Sequence, residues 1–388
     1  MSIGEDSCIG NPYEVVVDSC GKGFYTRRCF HGSGAEPGFW GRTMLFDERP
    51  KERREDLYDR ERELEEIKGN IGRPLIILTG IRRIGKTSVL KVALNEVERP
   101  KIVLDMRGLP ENYGRLHLYS RLAEALSRSD NRILRVLKRV RGISVLGVEV
   151  EITWKGRDML ALPDLFEALD EAGAIIAVDE AQNLRGPLSR EFLEALAHAY
   201  DYCRNLTFIL TGSEVGLLYD LLRIDDPSSP LYGRYYVEIR LERFSREDSI
   251  RFLERGFEEA GRNMPRQVIE EAVDLLDGIP GWLTFYGARC LRGKCDPREV
   301  LELAVNVARR ELENLLRSRP DRYKYVLKAI AEGSSTWSEV KKYLEQAERK
   351  TISKSIMHRV LRNLEKMSII REYSFLDPVY REAAKKLI

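Results

Sequence analysis

No run of apolar residues in this chain approaches the ~20 needed to span a bilayer. The first thirty residues also lack the apolar stretch of a secretory leader. A membrane-embedded or exported protein is therefore not expected, and the chain reads as cytoplasmic. An excess of one charge is missing too. Lys+Arg number 64 and Asp+Glu 62, a net of +2, so the molecule as a whole is no polycation. Six cysteines are present, but no two form a C-x-x-C pair. Cys8, Cys20 and Cys29 with His31 come nearest to a zinc set, and without that spacing zinc is not expected. A disulfide is expected still less in a cytosolic protein. Cys203, Cys290 and Cys295 fall among periodic apolar residues and are expected to be buried free thiols.

What is present suffices for several cores. Apolar residues make up 43% of the 388, and charged residues 32%, above the roughly 25% of average proteins. Such a length suggests two or three domains. Residues 1–43 carry many glycines, show no sustained helical period and offer only YEVVVD as a strand. A flexible extension with little packed structure is expected there, and Met44 is a plausible start of the folded protein. From residue 74, strand and helix patterns alternate through PLIILTG, KTSVLKVALNEV, KIVLDMR, AIIAVDE and LTFILTGS. GISVLGVEVEITW interrupts them as a hairpin around Gly147. Strands apolar on every residue and separated by helices predict an α/β core over 44–243, with a parallel sheet covered on both faces. Helical periods alone run over 244–320. Residues 321–388 read as three helices, two short strand-like pieces and a final helix, which resembles a winged helix-turn-helix.

Residues 80–87 of GIRRIGKTSVL fit G-x-x-x-x-G-K-[ST] without a mismatch, after an apolar strand and before a helix. Gly80 and Gly85 would let the main chain of Ile81, Arg82, Arg83 and Ile84 wrap close, its N–H groups turned inward to phosphates. The helix opening with Lys86, Thr87 and Ser88 adds positive potential. Lys86 would reach the β- and γ-phosphates of ATP, and Thr87 would offer its hydroxyl to Mg²⁺. Asp179, at the carboxyl end of AIIAVDE, would help to hold Mg²⁺. Glu180 beside it would orient the water that attacks the γ-phosphate. A solvated carboxylate at a helix start is the plainer alternative. Thr211 and Ser213 end FILTGS beside the same crevice, either to sense the γ-phosphate or to cap a turn.

Taken together, DLYDRERELEEI, GIRRIGKTS, VDEAQ, FILTGS and SPLYGRYYVEI resemble the archaeal ATPases of the AAA+/STAND group, from about Met44 to the chain end. The resemblance implies a P-loop NTPase core with an all-helical lid. It also implies that Asp59, Arg60 and Glu61 lie against the adenine, and that Gly278 and Pro280 of DGIPGW approach the base. Arg234 of LYGR would act as an arginine finger, within its own subunit or in a neighbour. A surface arginine is the alternative there. Two departures stand out. FILTGS ends without the Asn common in AAA+ machines, and only Arg289 offers itself as a lid sensor. A slow nucleotide switch is expected rather than a fast ring-shaped motor.

Charge is distributed unevenly along the chain. Residues 321–388 hold 15 Lys+Arg against 9 Asp+Glu, a net of +6, so the remainder sums to −4. Lys354, His358 and Arg362 recur every four residues on one helix face, while Ile356, Val360 and Leu364 form its apolar stripe. Residues 350–366 are thus expected either to meet double-stranded DNA or to present a basic surface to a protein partner or a second copy. Two functions follow. One is an ATP-hydrolysing switch coupled to the winged helix. The other is a DNA-binding regulator or adaptor that holds ATP or ADP structurally and hydrolyses little.

Overall fold

The computed structural model describes residues 45–387 and, nearer the N-terminus, the strands β1 (Tyr13–Val17) and β2 (Gly23–Arg27). These two pair antiparallel as a separate small unit. YEVVVD is thus a strand as expected, and its partner β2 carried no comparable signal. Cys8, Cys20, Cys29 and His31 lie outside the described residues.

In the larger unit, α1 (Glu61–Gly69) leads into β3 (Leu75–Thr79), α2 (Lys86–Asn95) and β4 (Lys101–Asp105). Helices α3 (Arg115–Ser127) and α4 (Asn131–Leu137) follow, then the hairpin β5 (Ile143–Leu146) and β6 (Glu149–Ile152). The core closes with α5 (Leu162–Glu171), β7 (Ile175–Asp179), α6 (Ser189–Tyr202), β8 (Thr207–Gly212), α7 (Val215–Leu222) and β9 (Val237–Arg240). The sheet is wholly parallel, in the order β4-β7-β8-β3-β9. Its central strands β3, β7 and β8 are buried at every residue. Period two sends their side chains to two different cores: Ile76, Leu78, Ile175, Ala177 and Ile209 meet α1 and α2, while Ile77, Ile176, Val178 and Leu210 meet the helices of the other face. KIVLDMR departs from the expected all-apolar burial because β4 is an edge strand, and Val103 on it is exposed. Two short helices, α4 and α7, carried no clear period in the sequence.

Beyond β9 the chain is helical through α8 (Arg246–Glu259), α9 (Arg266–Leu276), α10 (Pro280–Leu291) and α11 (Pro297–Leu315). Then come α12 (Arg322–Ala331), α13 (Trp337–Glu348), α14 (Lys354–Lys366), the two-residue strands β10 (Ile370–Arg371) and β11 (Ser374–Phe375), and α15 (Pro378–Lys385). One continuous apolar cluster runs through α8–α11 and the α12–α15 segment, so lid and winged helix share a core. Cys203 and Cys290 are buried free thiols, and Cys295 is half-buried. Among the described residues no helix is long and apolar enough to cross a membrane.

The lid core also recruits the segment just after Met44. Phe46 is 3% exposed and packs edge-on against Phe252 and Phe257. Gly256 and Gly287 admit its ring, since a Cβ on either would fall 2.3 Å from it. Phe46→Ala should therefore cost about 3–5 kcal/mol and lower the melting temperature by several degrees. A chain beginning at Met44 keeps Phe46 and is expected to melt with the full-length protein. Calorimetry of the three chains checks both statements, and an unshifted Phe46→Ala would contradict this docking.

Candidate active site

The loop between β3 and α2 turns through three residues of positive φ: Gly80 at 147°, Arg83 at 62° and Gly85 at 101°. Glycine adopts such angles without a steric cost; Arg83 does not. Lys86, first residue of α2, is 5% exposed and folds back under the loop. Its Nζ donates to the carbonyls of Gly80 at 2.8 Å and Ile81 at 2.9 Å. Burial pushes its pKa down to about 8, against the pull of Glu180 and Asp179.

Two carboxylates face this ammonium from the end of β7. Asp179 accepts from the Thr87 hydroxyl at 2.9 Å and from the Thr211 hydroxyl at 2.5 Å. Burial raises its pKa and the Glu180 charge adds to this, the two hydroxyls working in opposition. Glu180 occupies the left-handed region at φ 54°, where its N–H donates to Thr211 Oγ1 at 3.0 Å. Its Oε2 accepts from Ser213 at 2.6 Å and from Gln182 at 2.5 Å. Burial alone would raise the Glu180 pKa; Lys86 and these two donors more than offset it and hold the carboxyl below its ordinary value. A threonine hydroxyl, a buried aspartate and a second carboxylate thus converge on the mouth of the loop. That donor set suits Mg²⁺ bound largely through water, beside a phosphate held by backbone N–H groups.

A cleft of about 340 Å³ opens over the loop. Residues 82–88 and Glu180 form its floor, and Pro280, Gly281 and Thr284 at the start of α10 form its roof. Arg60 lines it as expected, donating to the Glu242 carbonyl at 2.7 Å and lying over the Phe244 ring at 4.7 Å. Asp59 does not line it. Nor does Asp59 cap α1: at φ 50° it stands outside the helix, whose N-cap position is Arg60 with no side-chain bond. Tyr58 takes part instead, its ring edge-on to Phe244 at 5.6 Å and Phe252 at 5.5 Å. Thr211 and Ser213 reach the site through the carboxylates they bond rather than through the cleft wall.

Two arginines lie elsewhere. Arg234 is paired with Asp201 at 2.6 Å, bonded to the Pro230 carbonyl and set over Tyr200, away from this chain's own cleft. Arg289 rests over Phe285 and faces Glu48 at 3.6 Å. Sequence reasoning missed Arg107, which lines the cleft just past the end of β4. Its position beyond the carboxyl end of a parallel strand was the available signal. Glu311 and the cleft-lining Phe244, Phe252 and Thr284 carried none, because only lid docking brings them here.

The profile of an ATPase domain found predominantly in Archaea matches residues 57–284. That of the C-terminal winged helix-turn-helix domain of MCM proteins matches 317–382. No curated protein matches the chain. Among solved structures, the Walker-type ATPase PABY2304 of Pyrococcus abyssi is 39% identical, with a TM-score of 0.75 over 88% of this chain and 100% of that one. The Aeropyrum pernix Orc1 protein, solved in complex with DNA, is 17% identical, with a TM-score of 0.43 over 81% of this chain and 84% of that one. On the extent of the first profile and the identity to the Pyrococcus protein, the chain belongs to the archaeal ATPase family, with a winged helix-turn-helix at its C-terminal end.

Proposed function

We propose that the protein binds ATP with Mg²⁺, hydrolyses it slowly, and converts nucleotide state into movement of a winged helix that engages duplex DNA. The observation that carries the hydrolytic part is Glu180. It lies beside Asp179 and within the electrostatic reach of Lys86, at the end of a cleft whose floor is the phosphate loop. A site that merely stored nucleotide would need the loop, Thr87 and Asp179, but not a second carboxylate kept ionised at that point. Mg²⁺, held by Thr87 and Asp179, would supply charge neutralisation at the phosphates. Lys86 would leave the Gly80 and Ile81 carbonyls to donate to phosphate oxygens. Glu180 would hold the attacking water by its free oxygen and take its proton.

Slowness is supported by two features. The Asn common in AAA+ machines is absent where β8 ends in Thr211 and Gly212 and Ser213 follows. Arg234, the candidate finger, is committed to Asp201 in its own chain, so a finger role would be exercised on a neighbouring copy after that pair opens. The DNA part rests on α14. Lys354, His358, Arg359 and Arg362 are all exposed on it, while Met357, Val360, Leu361 and Leu364 are buried beneath. Ile356, expected in the apolar stripe, is half-buried. A protein partner is the alternative occupant of this basic face.

Lys86→Ala should abolish tight ATP binding in calorimetry without unfolding the chain, and wild-type affinity would refute the phosphate assignment. Glu180→Gln keeps size and hydrogen bonding but removes the charge. Turnover should fall by about 10² or more with ATP binding retained. An undiminished rate would favour structurally held nucleotide. Changing Lys354 and Arg362 to Ala should weaken duplex binding and flatten its logarithmic salt dependence by about 0.9 for each phosphate no longer neutralised. If the protein fails to bind duplex even at low salt, the basic face belongs to a protein partner.

A further inference from the structure

The turn between α10 and α11 carries a pair of thiols. Cys290 lies in the last turn of α10, and Cys295 stands two residues before α11 begins. Between them the chain reverses tightly. The N–H of Gly293 donates to the Cys290 carbonyl at 3.0 Å, and that of Lys294 to the Arg289 carbonyl at 3.0 Å. Gly293 makes this reversal at φ 92°, in the region that glycine enters without a steric cost. The reversal brings the two sulfurs together. The Cys295 thiol donates to the Cys290 carbonyl at 3.4 Å, and the Cys290 thiol is hydrogen-bonded to the Cys295 side chain. The turn is also pinned from beneath. Tyr286 donates its hydroxyl to the Cys295 carbonyl at 2.9 Å, and Arg262 donates to that of Cys290 at 3.2 Å.

We propose that Cys290 and Cys295 are a redox pair, which a low-molecular-weight disulfide converts into a reversible bond that staples the end of α10 to the entry of α11. Cys203, the remaining free thiol among the described residues, belongs to a different core and takes no part. Cys295 is half-buried and open to a reagent, whereas Cys290 is 0% exposed, so the first attack falls to Cys295. Its thiolate attacks one sulfur of the small disulfide and expels the other as a thiolate. Cys290 then attacks the Cys295 sulfur of this mixed disulfide and expels the second small thiol. Two protein thiols are thereby oxidised, one small disulfide is reduced to two thiols, and the protons of the first pass to the second. Burial, with the Cys295 neighbour, pushes the Cys290 thiol up to about 12 in the resting pair. Blocking Cys295 removes its share, and the Tyr286 hydroxyl and the Arg262 charge then favour the Cys290 thiolate. A transient bond of this kind is compatible with a compartment that keeps most thiols reduced. It also bears on the lid, because both helices that it joins hold Arg83. The Gly281 N–H of α10 donates to the Arg83 carbonyl at 2.9 Å, and Glu311 of α11 is ion-paired with its guanidinium. A fixed turn between them stiffens the roof over the phosphate loop.

Full-length protein incubated with oxidised glutathione tests the pair. Trypsin cuts after Arg289, Arg292, Lys294 and Arg298, so Cys290–Arg292 and Cys295–Arg298 should be recovered as one linked species that dithiothreitol separates. The oxidised protein should melt about 5 °C above the reduced one, the scale of a single short-loop disulfide. Cys295→Ser should lose both the linked species and this gain, and Cys203→Ser should lose neither. Release of a fluorescent ADP analogue should slow about twofold or more on oxidation and recover with dithiothreitol, since lid opening gates release. Glutathione retained on Cys295, or a link from either cysteine to another, would overturn the pair. A linked pair with unaltered ADP release would overturn the effect on the lid. That effect rests on the reading of the cleft as a nucleotide site. If the analogue binds neither form, that reading fails and the lid effect with it, while the linked species still decides the disulfide.

Discussion

The phosphate loop turns a left-handed corner at Arg83, and the guanidinium that this corner throws outward ties the parts of the larger unit together. It stacks on Trp282 of the lid with 3.9 Å to the ring centroid and is ion-paired with Glu311 of α11. Glu311 in turn accepts from the Tyr380 hydroxyl of α15 at 2.9 Å. The indole N–H of Trp282 donates at 2.8 Å to Asp377, whose other oxygen caps α15. Burial pushes the Asp377 pKa up to about 6 in spite of these bonds. Loop, lid and winged helix are thus joined by one polar chain set against apolar packing. At its buried end, Trp282 and Asp377, removing either member would leave the other unpaired away from water, so the three parts are expected to shift in concert rather than one by one.

Backbone strain is found where that concerted shift would begin. Arg83 and Glu180 are both non-glycine residues in the left-handed region, each costing on the order of 1–3 kcal/mol unless its surroundings hold it. The Arg83 carbonyl accepts from the Gly281 N–H of the lid at 2.9 Å, and the Glu180 N–H is bonded to Thr211. Lid position and β8 are therefore what maintain the two strained corners. A change at either one alters the balance at the reacting end of the site.

The linear parts of this arrangement were legible in the sequence. Residues 80–88 supply a phosphate loop by themselves, and Asp179 and Glu180 follow from standing at the end of a strand apolar throughout. The helical stretch after β9 and the winged helix were readable from period alone. Contacts made across long separations were not. Phe244, Thr284 and Glu311 meet the loop only because the lid packs over it, and no local pattern encodes that. The short helix α7 hid within apolar residues that could equally have continued a loop, and with it hid the ion pair of Asp220 with Lys366 of α14. Asp59 was expected beside the adenine with Arg60, yet at φ 50° it stands outside α1 and only Arg60 lines the cleft.

A second and larger opening bears on how the reaction would be reached. Glu180, Arg82 and Arg107 line not only the nucleotide cleft but also a neighbouring one of about 1000 Å³. Its far wall is built from the end of α11 and from Met367, just beyond α14. Where the two clefts meet stands the carboxylate held by Ser213 and Gln182. Glu180 is therefore open to the phosphate-loop cleft on one side, while the other side is bounded by the end of α11 and by the residue that follows α14. The winged helix thus reaches the wall beside Glu180 directly, through the residue that follows α14, and the coupling proposed above would need no path across the sheet.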